Sequence, residues 1–315
     1  MKHNVKVIAI LLGMFVITQL IGIYVVDFYS PVKIIDGQDI NRSANSLPYG
    51  FEQPELKDSA EFNFAFLSIL IAFIIAISLL LFLTKINAAF FLKLWFFIVI
   101  IMALGISLNV FFPDFKYKML AILLITIPLA FVKIYKRELL VHNFTELLVY
   151  PGIAAIFVPM LNIFTISLLL ILISTYDMWA VWRSGIMQKM AKYQIESLNI
   201  FSGFFIPYMS KKVKEKIKTM KKSELKKKKI KVNVAILGGG DVVFPIIAAG
   251  VMLRVFGFTS IFGIPIPLAP LFVALGAALG LGALFMFSEK NKFYPAMPFI
   301  TAGIFLGMIL SYLLF

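Results

Sequence analysis

Not one cysteine occurs in the 315 residues, which excludes a disulfide framework and a thiolate metal site. Histidine is almost as scarce. His3 and His142 both lie beside charged segments, so no histidine-built metal centre is expected. Charge is low as well, at 15% of residues against 61% hydrophobic, with a mean hydropathy of +0.95. Soluble domains are about half apolar and about a quarter charged, so the composition is that of an integral membrane protein, with no cofactor or metal expected. The first apolar run, Val7–Val26 after Lys2 and Lys6, is too long for a signal peptide and lacks a small-residue cleavage site. It reads as a retained span.

A bilayer core of about 30 Å takes roughly 20 apolar residues per helix, and by that measure the chain is an all-α membrane protein of nine transmembrane helices. The expected spans are 7–26, 62–83, 94–112, 118–134, 144–161, 163–182, 232–256, 264–287 and 295–315. Lys and Arg accumulate on the cytoplasmic side of such proteins. Residues 27–61 hold three bases against seven acids and read as outside, whereas 183–231 hold fifteen bases against three acids and read as inside. This gives a cytoplasmic N-terminus and an extracytoplasmic C-terminus. The chain divides into a six-span half (1–182), a basic cytoplasmic loop (183–231) and a three-span half (232–315). Within the loop, 195–209 is apolar but too short to span and reads as interfacial or re-entrant. The lysine run of 211–231 suits a solvated loop or anionic headgroups of the lipid bilayer, and nucleic acid is not an expected partner.

Two acids lie inside spans. "LISTYDMWAVW" (172–182) carries Asp177, and "LGGGDVVFP" (237–245) carries Asp241. Glu146, near the inner end of the fifth span, is expected to reach headgroups or water. Ionisable groups at membrane depth are costly and by default mark function. Asp177 stands six residues before Arg183, roughly 9 Å from the inner boundary, and Asp241 ten residues after Lys231, roughly 15 Å if fully helical. Consecutive antiparallel helices thus place both carboxyls in one half of the bilayer. Gly238, Gly239 and Gly240 weaken the seventh helix just before Asp241, and Pro245 denies a hydrogen bond to the Asp241 carbonyl. Irregular backbone at such depth is tolerated where it is buried in protein or lines a wet cavity. Two carboxyls sharing such a site hold one proton between them, so one can act as base on water while the other donates to a peptide carbonyl. The last span opens with "FYPAMPFI", whose Pro295 and Pro298 predict an extended start. Gly276 to Gly280 and Gly303 to Gly307 fit close helix packing.

Together, Tyr176–Asp177, the Gly238–Asp241 stretch "GGGD" and Pro295–Ala296–Met297 resemble the Tyr-Asp, Gly-x-Gly-Asp and Pro-Ala-Leu motifs of the presenilin and signal peptide peptidase family. Their order and the nine-span plan agree with it, and Met297 departs from the usual Leu. The resemblance implies a presenilin-like fold and an intramembrane aspartic endopeptidase with Asp177 and Asp241 as catalytic pair. It also implies that Tyr176, Gly238, Gly240, Pro295, Ala296 and Met297 line the substrate cleft. Single-span transmembrane segments are the implied substrates, and the simple basic loop is similar to that of prokaryotic, archaeal-type members in a cell membrane. Self-association is left open. The rival reading is a cation-coupled transporter or leak channel that uses the same aspartates. The prepilin peptidase group shares Gly-x-Gly-Asp but has neither the Pro-Ala-Met element nor nine spans.

Overall fold

The computed structural model describes residues 5–42, 45–54, 56–86, 88–136, 138–184, 202–208, 233–288 and 294–315. Among them, nine helices are long and apolar enough to cross a membrane. They are α1 (Val5–Tyr29), α2 (Ser59–Lys85), α3 (Ala89–Asn109), α4 (Lys118–Phe131), α5 (Leu139–Phe157), α6 (Ile163–Trp179), α7 (Gly239–Phe256), α8 (Leu268–Phe287) and α9 (Met297–Leu314). Three of them are extended by one tighter or looser turn. A π-helical turn, Val132–Lys136, prolongs α4, a 3₁₀ turn, Val158–Met160, prolongs α5 where Pro159 cannot continue the helix, and a second π-helical turn, Ala180–Ser184, prolongs α6.

The main core joins α1, α5, α6, α7, α8 and α9 around α7. A second cluster packs α3 and α4 on α5, and α2 touches the rest only lightly. Glycine sets the closest approaches. A Cβ on Gly276 would stand 2.9 Å from the carbonyl carbon of Gly303, and one on Gly307 2.7 Å from that of Phe272. Hence α8 and α9 meet backbone to backbone, as their glycine spacing predicted.

Among the described residues, six short strands make three antiparallel pairs: β1 (Val32–Ile35) with β2 (Gln38–Asn41), β3 (Gly203–Tyr208) with β4 (Asn233–Gly238), and β5 (Thr259–Ile261) with β6 (Ile264–Ile266). The first and third are hairpins whose central residues, Asp36–Gly37 and Phe262–Gly263, all have positive φ, as a type I′ turn requires. They meet at the end of the bundle away from the aspartates. There the Phe258 N–H donates to the Ile34 carbonyl at 2.8 Å, and the Ser260 N–H donates to Asp36 Oδ1 at 2.7 Å.

The strands correct the expected spans. The seventh helix begins at Gly239, not 232, because 233–238 is strand. The eighth begins at Leu268, not 264, for the same reason, and the third runs 89–109 rather than 94–112. Of the segment read as interfacial or re-entrant, 203–208 is a strand inside the fold, while 195–201 and 209 lie outside the described residues, as does the lysine run 211–231. The last helix starts at Met297, so Pro298 falls in its first turn, where a missing N–H costs nothing. Tyr294 and Pro295 precede its cap residue, Ala296.

Candidate active site

Asp177 lies two residues before the end of α6 and is 6% exposed. A carboxylate there faces the negative end of its own helix dipole. The beginning of α9 offsets this. The Met297 N–H donates to Asp177 Oδ2 at 3.0 Å, and the Ala296 N–H is also directed at this carboxylate. Free N–H groups at a helix N-terminus form an anion site, and Asp177 occupies it. One turn away, Ser174 Oγ donates to Thr301 Oγ1 at 2.8 Å. Two polar links therefore tie antiparallel α6 and α9.

Asp241 sits in the opposite setting, the first turn of α7. Its carboxylate accepts the N–H of Gly238, the residue capping that helix. An acid at the third helical position reaching back to the cap amide is half of a capping box, and the positive end of the dipole favours it. The carboxyl is close enough to Asp177 for their charges to interact. The expected depth of a fully helical Asp241 is corrected, since an extended strand leads into it. Across the site, Gln19 of α1, fully buried, donates to the Val242 carbonyl at 3.0 Å.

Pro295 and Met297 are buried, and Ala296 is half-buried. Ala296 and Met297 meet Asp177 through their backbone amides. Gly238 is confined, with a Cβ at 3.1 Å from Asp241 Oδ2, whereas at Gly240 a Cβ would meet only the Phe244 ring, at 3.6 Å. Gly240 thus leaves the approach to Asp241 open. Tyr176 is 48% exposed with its ring beside Trp179. It stands next to Asp177 in sequence but turns away from it.

Sequence reasoning missed the support beneath β3. Glu146 is not at the headgroups: it is 1% exposed, with Lys133 Nζ 2.7 Å from Oε1. The same oxygen accepts the Gly203 N–H at 3.3 Å, and His142 Nε2 lies 2.8 Å from the Gly203 carbonyl oxygen. Asn143 grips Phe205 twice, accepting its N–H at 3.0 Å and donating to its carbonyl at 2.8 Å. The available signal was Lys133 and Glu146 together, an acid and a base both within apolar runs. Among the described residues no cluster of metal-ligating side chains occurs.

The family described as "Signal-peptide peptidase, presenilin aspartyl protease" matches residues 43–315. Two solved structures of a presenilin family intramembrane aspartate protease, from C222 and P2 crystals, share the fold. The first has a TM-score of 0.61 at 18% identity, covering 98% of this chain and 99% of that one. The second has a TM-score of 0.60 at 17% identity, covering 97% of each chain. No curated protein matches. Nothing in these likenesses supports the transporter reading. With nine membrane-length helices among its described residues and a family match over most of its length, the chain belongs to the signal-peptide peptidase and presenilin aspartyl protease family, and it is an intramembrane aspartic endopeptidase.

Proposed function

We propose that Asp177 and Asp241 are the catalytic pair with which this endopeptidase cuts transmembrane segments. The observation that carries the assignment is that two helix N-termini, those of α7 and α9, present two carboxyls to each other. The ionised member takes a proton from water, whose oxygen attacks the peptide carbonyl carbon, while the protonated member donates to the carbonyl oxygen. Collapse of the tetrahedral intermediate breaks the C–N bond. The proton gained from water then passes to the leaving nitrogen, while a hydroxyl of the intermediate returns its proton to the other carboxylate as the carbonyl re-forms, so the pair again holds one proton. The two roles belong to the pair as a unit. The Ala296 and Met297 amides seat Asp177, and the Gly238 amide seats Asp241. Gly240 leaves room for the substrate backbone, with Tyr176 at the rim.

A helical substrate keeps its amides in hydrogen bonds, so it must unwind to be cut. The N–H of Met297 is engaged by Asp177 and the chain there is helical. The docking edge for an extended substrate is therefore β4 rather than the start of α9. Gly203 and Phe205 turn their backbone groups toward α5, and the Gly239 N–H donates to the Ser202 carbonyl. Alternation in an antiparallel pair then assigns Phe204 and Ile206 to bonding with β4. It leaves Val234 and Ile236 facing away from β3, on an edge that no described strand covers. A substrate strand added there runs toward Gly238 and Asp241. Loop charges support a cytoplasmic N-terminus, substrates whose own N-terminus lies outside, and residence in a prokaryotic cell membrane. Partners are single-span segments in the bilayer, with self-association as an added prospect.

The test is cleavage of a purified single-span peptide in detergent by Asp177→Asn and Asp241→Asn. Asparagine keeps an acceptor for the Met297 or Gly238 N–H, so folding is retained. Each substitution is expected to lower the rate by about 100-fold or more, and the wild-type pH profile is expected to have an acidic limb. Near-wild-type cleavage by either variant would refute the assignment.

A further inference from the structure

The outer edge of β3 is closed at every position it offers. Its outward-facing residues alternate as Gly203, Phe205 and Pro207. Gly203 is held by Glu146 and His142, and Phe205 by both ends of the Asn143 amide. Pro207 has no N–H to offer, which is how proline sits on sheet edges. Asn143 therefore acts on Phe205 as a neighbouring strand would. Glu146 can serve as a buried acceptor because Lys133, itself 4% exposed in its side chain, supplies the counter-charge, and Lys133 also donates to Thr145 Oγ1 at 3.2 Å. Four side chains from α5 and the π-helical turn before it thus stand in for a third strand.

This closure acts on both substrate and register. A substrate strand cannot add to β3, so the sheet presents one docking edge rather than two. The register of the sheet is also anchored to α5: β3 is pinned at Gly203 and Phe205, β4 is paired to it from Gly203↔Gly238 to Tyr208↔Asn233, and Gly238 holds Asp241. Position is transmitted from a membrane helix through two strands to a carboxylate.

We propose that Asn143, supported by Glu146 and His142, is a positioning residue that sets where a substrate is cut. The proposal rests on the reading that substrate docks on β4. If β3 loosens, β4 loses the backing that holds it in place beside the aspartates, and a substrate strand on its outer edge can pair in a shifted register. A slip that keeps the same side chains on the same face moves by two residues, about 6.6 Å along the strand.

The experiment maps products of a purified single-span peptide by mass spectrometry for the wild type, Asn143→Leu, Asn143→Asp and Ile236→Pro, with thermal unfolding of each. Asn143→Leu is expected to raise products displaced by two residues roughly fivefold or more, the weight of about one hydrogen bond, at an unchanged pH profile. Asn143→Asp, which still accepts the Phe205 N–H, should fall between, and its product masses decide the same question if the leucine variant does not fold. Ile236→Pro removes one outward N–H of β4 and should abolish cleavage in a folded protein. Loss of rate and stability in the Asn143 variants with wild-type product masses overturns the positioning role. Wild-type cleavage by Ile236→Pro overturns the docking reading beneath it. Cleavage lost in Ile236→Pro beside unchanged masses in the Asn143 variants leaves docking standing and removes the positioning role alone.

Discussion

Replacing a glycine between α8 and α9 should disturb Asp177 in proportion to how near the replaced glycine lies to the start of α9. A Cβ on Gly280 would stand 2.9 Å from the carbonyl carbon of Phe299, two residues into α9, and one on Gly307 2.7 Å from that of Phe272. Both contacts are against backbone, which cannot swing aside as a flexible side chain can. To reach ordinary contact the helices must part locally by about 1 Å, an overpacking strain of about 1–3 kcal/mol. At Gly280 that parting falls beside Met297, whose N–H is 3.0 Å from Asp177 Oδ2. Another 1 Å or so carries the donor beyond about 3.5 Å, where a hydrogen bond is no longer made. Losing a bond to a charged acceptor costs about 1.5–3 kcal/mol, so Gly280→Ala should cut more slowly by about ten- to a hundredfold.

Gly307 lies ten residues beyond Met297, about 15 Å along the helix, so strain there should not reach the carboxylate. Gly307→Ala should therefore lower thermal stability about as much as Gly280→Ala does while keeping most of the activity. Gly13→Ala, with nothing within 4 Å of its Cβ, should alter neither. The assay is initial cleavage rate on a single-span peptide at saturating substrate, paired with thermal unfolding in the same detergent. Equal activity losses at Gly280 and Gly307, or a fully active Gly280→Ala, would refute the reasoning that α9 carries strain to Asp177.

Lys133→Met leaves Glu146 charged and buried without its partner and should destabilise by about 3–5 kcal/mol. Lys133→Met with Glu146→Gln, which keeps an acceptor for the Gly203 N–H, should recover most of that on thermal unfolding, and a double variant as unstable as the single would contradict it. At the other end of the bundle, hydrogen bonds from the Ser260 side chain and amide hold the Asp36 carboxyl below its ordinary value of 3.8. A lowered pKa in the fold means that this link is fully present above the ordinary value and is lost as pH falls through the lowered one. Hydrogen exchange at the Ser260 amide should therefore show constant protection between pH 8 and 5, roughly one unit above the unfolded pKa and higher, and protection lost within that window would contradict the assignment.

The nine spans were readable because about 20 apolar residues in a row mean the same thing wherever they stand. The strands were not, for a related reason. Residues 233–238 are apolar and run directly into an apolar helix, so hydropathy sees one segment where the backbone changes from strand to helix. The marks of the change were in the sequence: Val234 and Ile236 alternate with buried Ala235 and Leu237 at a period of two, and three glycines follow. Gly239 proves to be the tightest of these, since a Cβ there would press on Ser202 and Tyr150.

The aspartates themselves were readable because a carboxyl is rare in an apolar run, and rarity needs no knowledge of the partner. What stabilises them was not readable. Asp177 is held by backbone amides 119 and 120 residues away, and β3 by side chains about 60 residues before it. Backbone donors carry no residue identity, so the Pro-Ala-Met element could be matched as a pattern without revealing that two of its amides point at one carboxylate. Pro295 and Pro298 flank these two amides. Pro295 keeps the chain from continuing as helix toward its N-terminus, and Pro298 sits where its missing N–H leaves no bond unmade. Substituting Leu by Met within this element is therefore mild for Asp177, because the group that meets the carboxylate is an amide that every residue except proline possesses.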